Sequence, residues 1–421
     1  MNASHPLLAQ PAPLLGWRAA LLDEPPAPAL VAALPEALKA AAQDFLARAD
    51  RHPSAAEQAG LDRWYAGADG QQTLAAITTA LWTQMRSHAP HAMPAHDARH
   101  AMLKVPTAAL EHMAAERVTG HARVGVLAAL LHDHGRWAEE RLFGGPGASL
   151  LHARMSLLLG RELLAGFALP PLLAEQILLA ALRHTSGAEP ADPMPLKLTV
   201  AADRDQLWGH EIALRLCHHA PNARGEYASL DRERPGAPAG LSVLDRLEFF
   251  LRNRLPGPLF ALDARAQASR HWLLDFVLMA DSRAGGIARF ADLAGAVLPG
   301  RRALPDGLVG PDGLEARLDR IEAERPAAGA PEPALAALLA LPGVAPSPHY
   351  RALAGARLAR LDDASRARFA SAFVWAERAC RQDDARQRAF LTGLLQTGAG
   401  DAPVATLAGL LLRDWDVIGA G

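Results

Sequence analysis

Apolar side chains recur every three or four positions through most of the stretch from 76 to 210, the period of helices that bury one face. The spacing predicts helices over 75–86, 97–104, 107–117, 122–132, 150–165, 172–184 and 196–208. Pro106 lacks a backbone donor and crowds the turn before it. The second helix is therefore expected to break or kink there, with Thr107 capping a restart. Asp97 reads as the N-cap or first-turn acid of that helix. Residues 1–75 mix Pro-rich stretches such as "PPAPA" (25–29) with short helical pieces such as 36–51. Helical spacing resumes over 242–254, 264–279 and 314–395, and a final helix follows a Gly-rich turn. Residues 220–240 read as a polar loop and 298–313 as linker sequence. There is no strand pattern and no repeat. The expected fold class is all-α, with an N-terminal helical region over 1–75, a helical domain over 76–290, a linker over 291–313 and a C-terminal helical region over 314–421.

Composition supports helix over sheet. Half of the 421 residues are hydrophobic, while tyrosine occurs only three times. A chain of this length suggests two or three domains and can bury a sizeable core. A net charge of −2 supplies no basic field for nucleic acid. No run of about 18 apolar residues is present, so no membrane span is expected. Cys217 and Cys380 are the only cysteines. No disulfide framework is expected, and a reducing cytoplasm is the compartment inferred.

The chemistry concentrates in one region. Twelve of the 17 histidines lie between residues 91 and 219. The stretch "LLHDHGRW" (130–137) sets His132 and Asp133 at the end of an apolar helix, where an imidazole or carboxylate needs a partner. His100, Asp203, His152 and His184 fall on other helices, the last two at helix ends. A bundle brings such side chains inward to one ion from facing helices. Nitrogen and oxygen donors without thiolate suit Mn, Fe, Co, Ni, Mg or Zn. The competing reading makes each histidine a hydrogen-bonded core residue.

The order of these residues resembles the HD-domain metal-dependent phosphohydrolase superfamily. The matching segments are "HDARHAMLKV" (96–105), "LAALLHDHGRW" (127–137), "LLHARMSLLLGRELL" (150–164), "ILLAALRHTSG" (177–187) and "TVAADRDQLWG" (199–209). Weaker likeness continues through 241–257 and 264–278. The resemblance implies an HD-type helical bundle core. It makes His100, His132, Asp133 and Asp203 the defining ligands, with His152 and His184 at positions that hold a second ion in binuclear members. Departures are "HAMLKV" where an arginine often precedes the valine, and Ala201 where a further acid is common. The Gly-Tyr-Pro signature of cyclic-dinucleotide phosphodiesterases is missing.

The implied activity is hydrolysis of a phosphoester or phosphoanhydride in a nucleotide or similar small molecule, with one or two ions activating water. Asp133 would ligate and orient the water. Arg136 would clamp phosphate with its planar fork, or else complement a helix dipole. Lys104, Arg204 and His96 are further substrate-binding candidates. Two other readings stand beside this one: a regulatory, partner-binding module and an HD-fold di-iron oxygenase. Trp208, Trp272, Trp375 and Trp415 read as core or interface residues, and His218–His219 as a solvated helix end.

Overall fold

The computed structural model describes residues 28–49, 53–88, 98–143, 151–185, 187–205, 275–276, 279, 311–324, 363–398 and 400–419. His96, Asp97, Trp208, His218, His219, Trp272, the 220–240 loop and the helix expected over 242–254 lie outside them. Of the helix expected over 264–279, Asp275, Phe276 and Met279 are described, and all three are helical. Among the described residues there is helix and turn but no strand, as the sequence predicts. No described helix is long and apolar enough to cross a membrane.

The chain divides into two compact units, Met1–Asp203 with Gln387–Gly419, and Arg204–Arg386 with Ala420–Gly421. The first unit holds the histidine-rich region. It begins with α1 (Pro28–Ala49), α2 (Ala55–Ala66) and α3 (Ala68–His88). Leu34, Leu38, Ala41, Ala42, Phe45 and Ala49 line one buried stripe of α1, which packs on α7 (Leu151–Leu164) and α8 (Pro171–Arg183). A capping box starts α2: Ser54 Oγ accepts from the Glu57 N–H at 3.3 Å, and Glu57 Oε2 accepts from the Ser54 N–H at 2.9 Å. The boundary expected at residue 75 falls inside α3, which runs unbroken and packs on α7 and on α5 (Gly125–Leu131).

Pro106 does not break its helix. Arg99–Lys104 forms a π-helical turn that leads directly into α4 (Val105–Ala115), with Pro106 in the first turn of α4. The Val105 N–H reaches back five residues to the His100 carbonyl. The wider register precedes a position where proline has no N–H to offer, and such π segments recur at functional sites. Thr107 does not cap a restart. Its hydroxyl donates to the Leu103 carbonyl at 2.6 Å, inside the continuing helix.

A 3₁₀ turn (Gly120–Val124) precedes α5, so the helix expected over 122–132 is shorter than its periodicity suggests. All seven residues of α5 are buried, as an all-apolar helix requires. It is surrounded by α3, α4, the π-helical turn and α8. Gly125 also lets it approach α9 (Met194–Asp205) closely: a Cβ there would lie 2.8 Å from Leu198 and 3.0 Å from Pro195 Cα. Beyond α5 come the turn 132–135 and α6 (Arg136–Phe143).

In the second unit, α10 (Pro311–Glu324) buries Leu318 and Ile321 at helical spacing. It begins within the stretch expected as linker. Next comes α11 (Asp363–Gln396), whose residues from Gln387 onward belong to the first unit. The last helix, α12 (Ala402–Gly419), packs along α3 and against the π-helical turn. Asp414 anchors it by accepting from Trp82 Nε1 at 2.7 Å and Arg86 Nη1 at 2.8 Å. Asp401 pairs with Tyr65 and, at 2.9 Å, with Arg123. The end of the chain thus completes the core that carries the histidines.

Candidate metal centre

Five elements deliver six side chains to one place. His100 comes from the π-helical turn, His132 and Asp133 from the turn after α5, His152 from the start of α7, His184 from the end of α8, and Asp203 from the last turn of α9. His132 and Asp133 do not lie within a helix, as expected, but in the tight turn between α5 and α6. Gly135 permits that turn. A Cβ on it would meet the His152 carbonyl oxygen at 2.1 Å, so the turn sits directly on the backbone of α7. Ser156 clamps the contact, accepting from the Gly135 N–H and donating to the His132 carbonyl, both at 2.8 Å.

The Asp133 carboxylate faces two ways. Its Oδ2 lies 3.6 Å from His100 Nε2 and 3.5 Å from His132 Nε2. Asp203 Oδ1 closes that side, 3.3 Å from His100 Nε2 and 3.9 Å from His132 Nε2. The other oxygen, Oδ1, lies 3.3 Å from His152 Nε2 and 3.5 Å from His184 Nε2. Those two nitrogens are 3.3 Å apart. Donors bound about 2.1 Å from a shared ion stand roughly 3.0–3.5 Å from one another in octahedral or tetrahedral arrangement. The observed spacings are close to that range. Two triads, His100–His132–Asp203 and His132–Asp133–His184, keep their ligand atoms within 4.8 Å of one another and could hold a metal ion.

Hydrogen bonds on the far side of the rings set the tautomers. His132 Nδ1 lies 2.6 Å from the Ala129 carbonyl and His184 Nδ1 lies 2.7 Å from the Ala181 carbonyl. A carbonyl only accepts, so each Nδ1 carries the proton and each Nε2 presents a lone pair inward. His132 Nε2 is buried and has no hydrogen-bond partner among the described residues. Burial pushes the His132 ring down to about 4, against the pull of Asp133, so it is neutral at pH 7 and ready to ligate. Burial alone would raise Asp203. The hydrogen bond from His100 and the His132 ring outweigh it and hold the carboxylate well below its usual range. Asp203 keeps 26% of its side chain exposed, whereas Asp133 keeps 1%, so the site opens on the Asp203 side.

No family model, curated protein or solved structure matches the chain. The centre therefore rests on the geometry and on the order of its residues.

The cations expected at the site have other partners. Arg136 begins α6 and does not end the preceding helix, so the C-terminal dipole reading does not hold. It is 2% exposed, with Nη1 2.9 Å from Glu139 Oε2 and Nε 3.4 Å from Asp133 Oδ1. Gripping phosphate from solvent would require breaking both pairs. Lys104 is also buried. Its ammonium donates to Gln387 Oε1 at 2.9 Å and lies 5.9 Å from the Trp415 ring, a use in fastening the end of the chain. Arg204 follows Asp203 and is partly buried.

Glu139 and Ser156 were not read from the sequence. The only signal for Glu139 is its place three residues after Arg136 on a helix. His134 is buried beside His88, ring centroids 5.5 Å apart, and His88 stacks on Trp137 at 4.2 Å.

Proposed function

We propose that this chain is an HD-type, metal-dependent phosphohydrolase acting on a nucleotide or similar small phosphoester, with a binuclear centre. The two-sided Asp133 carboxylate carries the reading: His100, His132 and Asp203 would hold one ion, and His152 with His184 a second, Asp133 bridging them. Four imidazoles and two carboxylates favour Mn, Fe, Co, Ni or Zn over Mg. A divalent ion bound there lowers the pKa of water and polarises a phosphoryl oxygen. The chain's own groups supply the rest. Asp133, 3.4 Å from Arg136 Nε, would fix the spacing of the two halves. Asp203, on the open side, is placed to orient water and take its proton. Hydrolysis forms a bond from water oxygen to phosphorus and breaks the phosphorus–oxygen ester bond, the proton passing to the leaving oxygen.

The test is metal analysis of the purified chain followed by phosphoester turnover with each candidate metal. Two ions per chain and metal-dependent phosphate release are expected. Asp203→Asn should reduce the rate by on the order of 10²–10⁴-fold, the scale for loss of a proton-transfer group, whereas Asp133→Asn should lose metal and turnover with it. Full metal with undiminished turnover in that variant would remove Asp133 from the chemistry. Oxygen consumption by an iron-loaded protein without phosphate release would instead select the oxygenase reading.

A further inference from the structure

Arg161, on α7, is 1% exposed, and the proposed reaction gives it no role. It follows His152 by nine residues on the same helix, which puts it about 13 Å further along the axis, away from the proposed centre. A guanidinium stays charged in a protein, and burying one without a counter-charge is costly. Burial pushes Arg161 down to about 10, and nearby Arg48 adds to the push, so the group is still protonated at pH 7. Among the described residues no carboxylate offsets either effect. The acids of α1 act elsewhere: Asp44 pairs with Arg48, and Glu36 acts on Arg154. Glu162, the next residue on α7, is exposed and leaves the helix about 100° away. Phe45 of α1 covers one face of the guanidinium, whose carbon lies 5.2 Å from the ring centroid. Stacking satisfies the face and not the N–H donors. Nε and Nη2 are both buried, and neither has a hydrogen-bond partner among the described residues.

We infer that the Nε–Nη2 edge of Arg161 is an anion-binding site, separate from the metal centre, that grips two oxygens of a phosphate or carboxylate group, with Arg48 as the second cation. Those two nitrogens lie in one plane and form a fork that matches the spacing of paired oxygens. Phe45 holds the plane still, so the fork is set before an anion arrives. Arg48, in the last turn of α1, keeps 43% of its side chain exposed, and the pair therefore leads from the buried fork toward solvent. With Asp44 offsetting Arg48, one positive charge remains, which suits a carboxylate or a phosphate monoanion.

The experiment is a calorimetric titration of the full chain with inorganic phosphate and, separately, with acetate, at ionic strength matched with sodium chloride. It is run on the chain as purified and again after chelation, with thermal unfolding followed in parallel. At least one of the two anions should bind and raise the melting temperature of the parent, equally before and after chelation. A response to phosphate alone, or to acetate alone, identifies the group the fork takes. Arg161→Lys keeps the charge but not the fork, and should weaken binding by about 10–100-fold, the loss of one charge-assisted hydrogen bond. Arg161→Met should abolish it. In anion-free buffer the Met variant should be at least as stable as the parent, because a buried charge without a partner is replaced by an apolar chain of similar length. Should the Met variant fail to fold by circular dichroism, the Lys variant carries the test. A parent that responds to neither anion would overturn the inference, and so would binding that persists unchanged in the Arg161 variants. Phosphate binding lost on chelation would belong to the metal centre and overturn this site alone. Arg161-dependent binding in a chain that holds no metal would sustain this site while the metal centre falls.

Discussion

Gly135→Ala tests whether the centre depends on the close seat of the 132–135 turn on α7. The backbone of Gly135 is not left-handed, so alanine is not excluded by conformation. It is excluded by contact: the added Cβ would lie 2.1 Å from the His152 carbonyl oxygen, 2.7 Å from Met155 Cβ and 2.7 Å from the Ser156 nitrogen. Two of these three neighbours are backbone atoms, so no side-chain rotation relieves them. The turn must lift from α7 by roughly 1 Å to restore van der Waals contact. That lift stretches the 2.8 Å bond from Gly135 to Ser156 and separates Asp133 from His152. Overpacking of this kind costs about 1–3 kcal/mol, or a fall in melting temperature of roughly 2–12 °C for a unit of this size. Metal binding should suffer more than stability, because a 1 Å shift at a ligand is large against a bond near 2.1 Å. Thermal unfolding and metal content of the variant are the assays. A Gly135→Ala protein with the parent's melting temperature and both ions bound would refute the close seat.

Ser156→Ala removes the acceptor for Gly135 and the donor to the His132 carbonyl, and should destabilise by about 1–3 kcal/mol in chemical denaturation; an unchanged midpoint would mean the turn is held by other contacts. Arg136→Ala should lower metal occupancy while leaving the KM for phosphoester unchanged; a raised KM with full metal would return Arg136 to phosphate binding. Asp414 accepts from Arg413, Trp82 and Arg86, which together hold its carboxyl below the usual range despite burial. The folded value is the lower one, so the stabilisation is complete above about pH 5 and is lost as pH falls below about 4 toward the folded value. Asp414→Asn should flatten the pH dependence of unfolding over that window, and parallel curves for the two proteins would contradict it.

What the sequence discloses differs by residue. His100, His132, Asp133, His152, His184 and Asp203 stand out because polar groups interrupt apolar helices, and the structure brings all six together. Lys104 meets Gln387 and Trp415, which lie about three hundred residues away, and local spacing carries no trace of them. Glu139 is indistinguishable in sequence from half of a surface ion pair at i,i+3. Ser156, in a leucine-rich helix, gives no sign that it grips the turn twenty-one residues earlier. At Arg99–Lys104 the local rule for proline foresees a break, whereas the chain runs through a π turn straight into α4 with Pro106 in its first turn. Residue 75 looked like a boundary because proline density falls there, yet α1, α2 and α12 all pack into the unit that holds the ligands.

Helix ends explain why apolar helices can carry this centre. The last turn of a helix leaves carbonyls without intrahelical donors, and burying them unpaired is costly. His132 and His184 each sit one residue past a helix and supply that donor from Nδ1. Satisfying the carbonyl fixes the tautomer, and fixing the tautomer aims the opposite nitrogen into the centre. Capping the carbonyl and turning a lone pair toward a possible metal site are then one act, performed by a side chain that the helix end itself uses. Asp133 follows in the same turn, so its position is set by the end of α5 and by the seat of Gly135 on α7. His152 comes from the opposite kind of helix end, where backbone donors and not acceptors are left over. Its Nε2 faces Asp133 Oδ1 at 3.3 Å and His184 Nε2 at 3.3 Å.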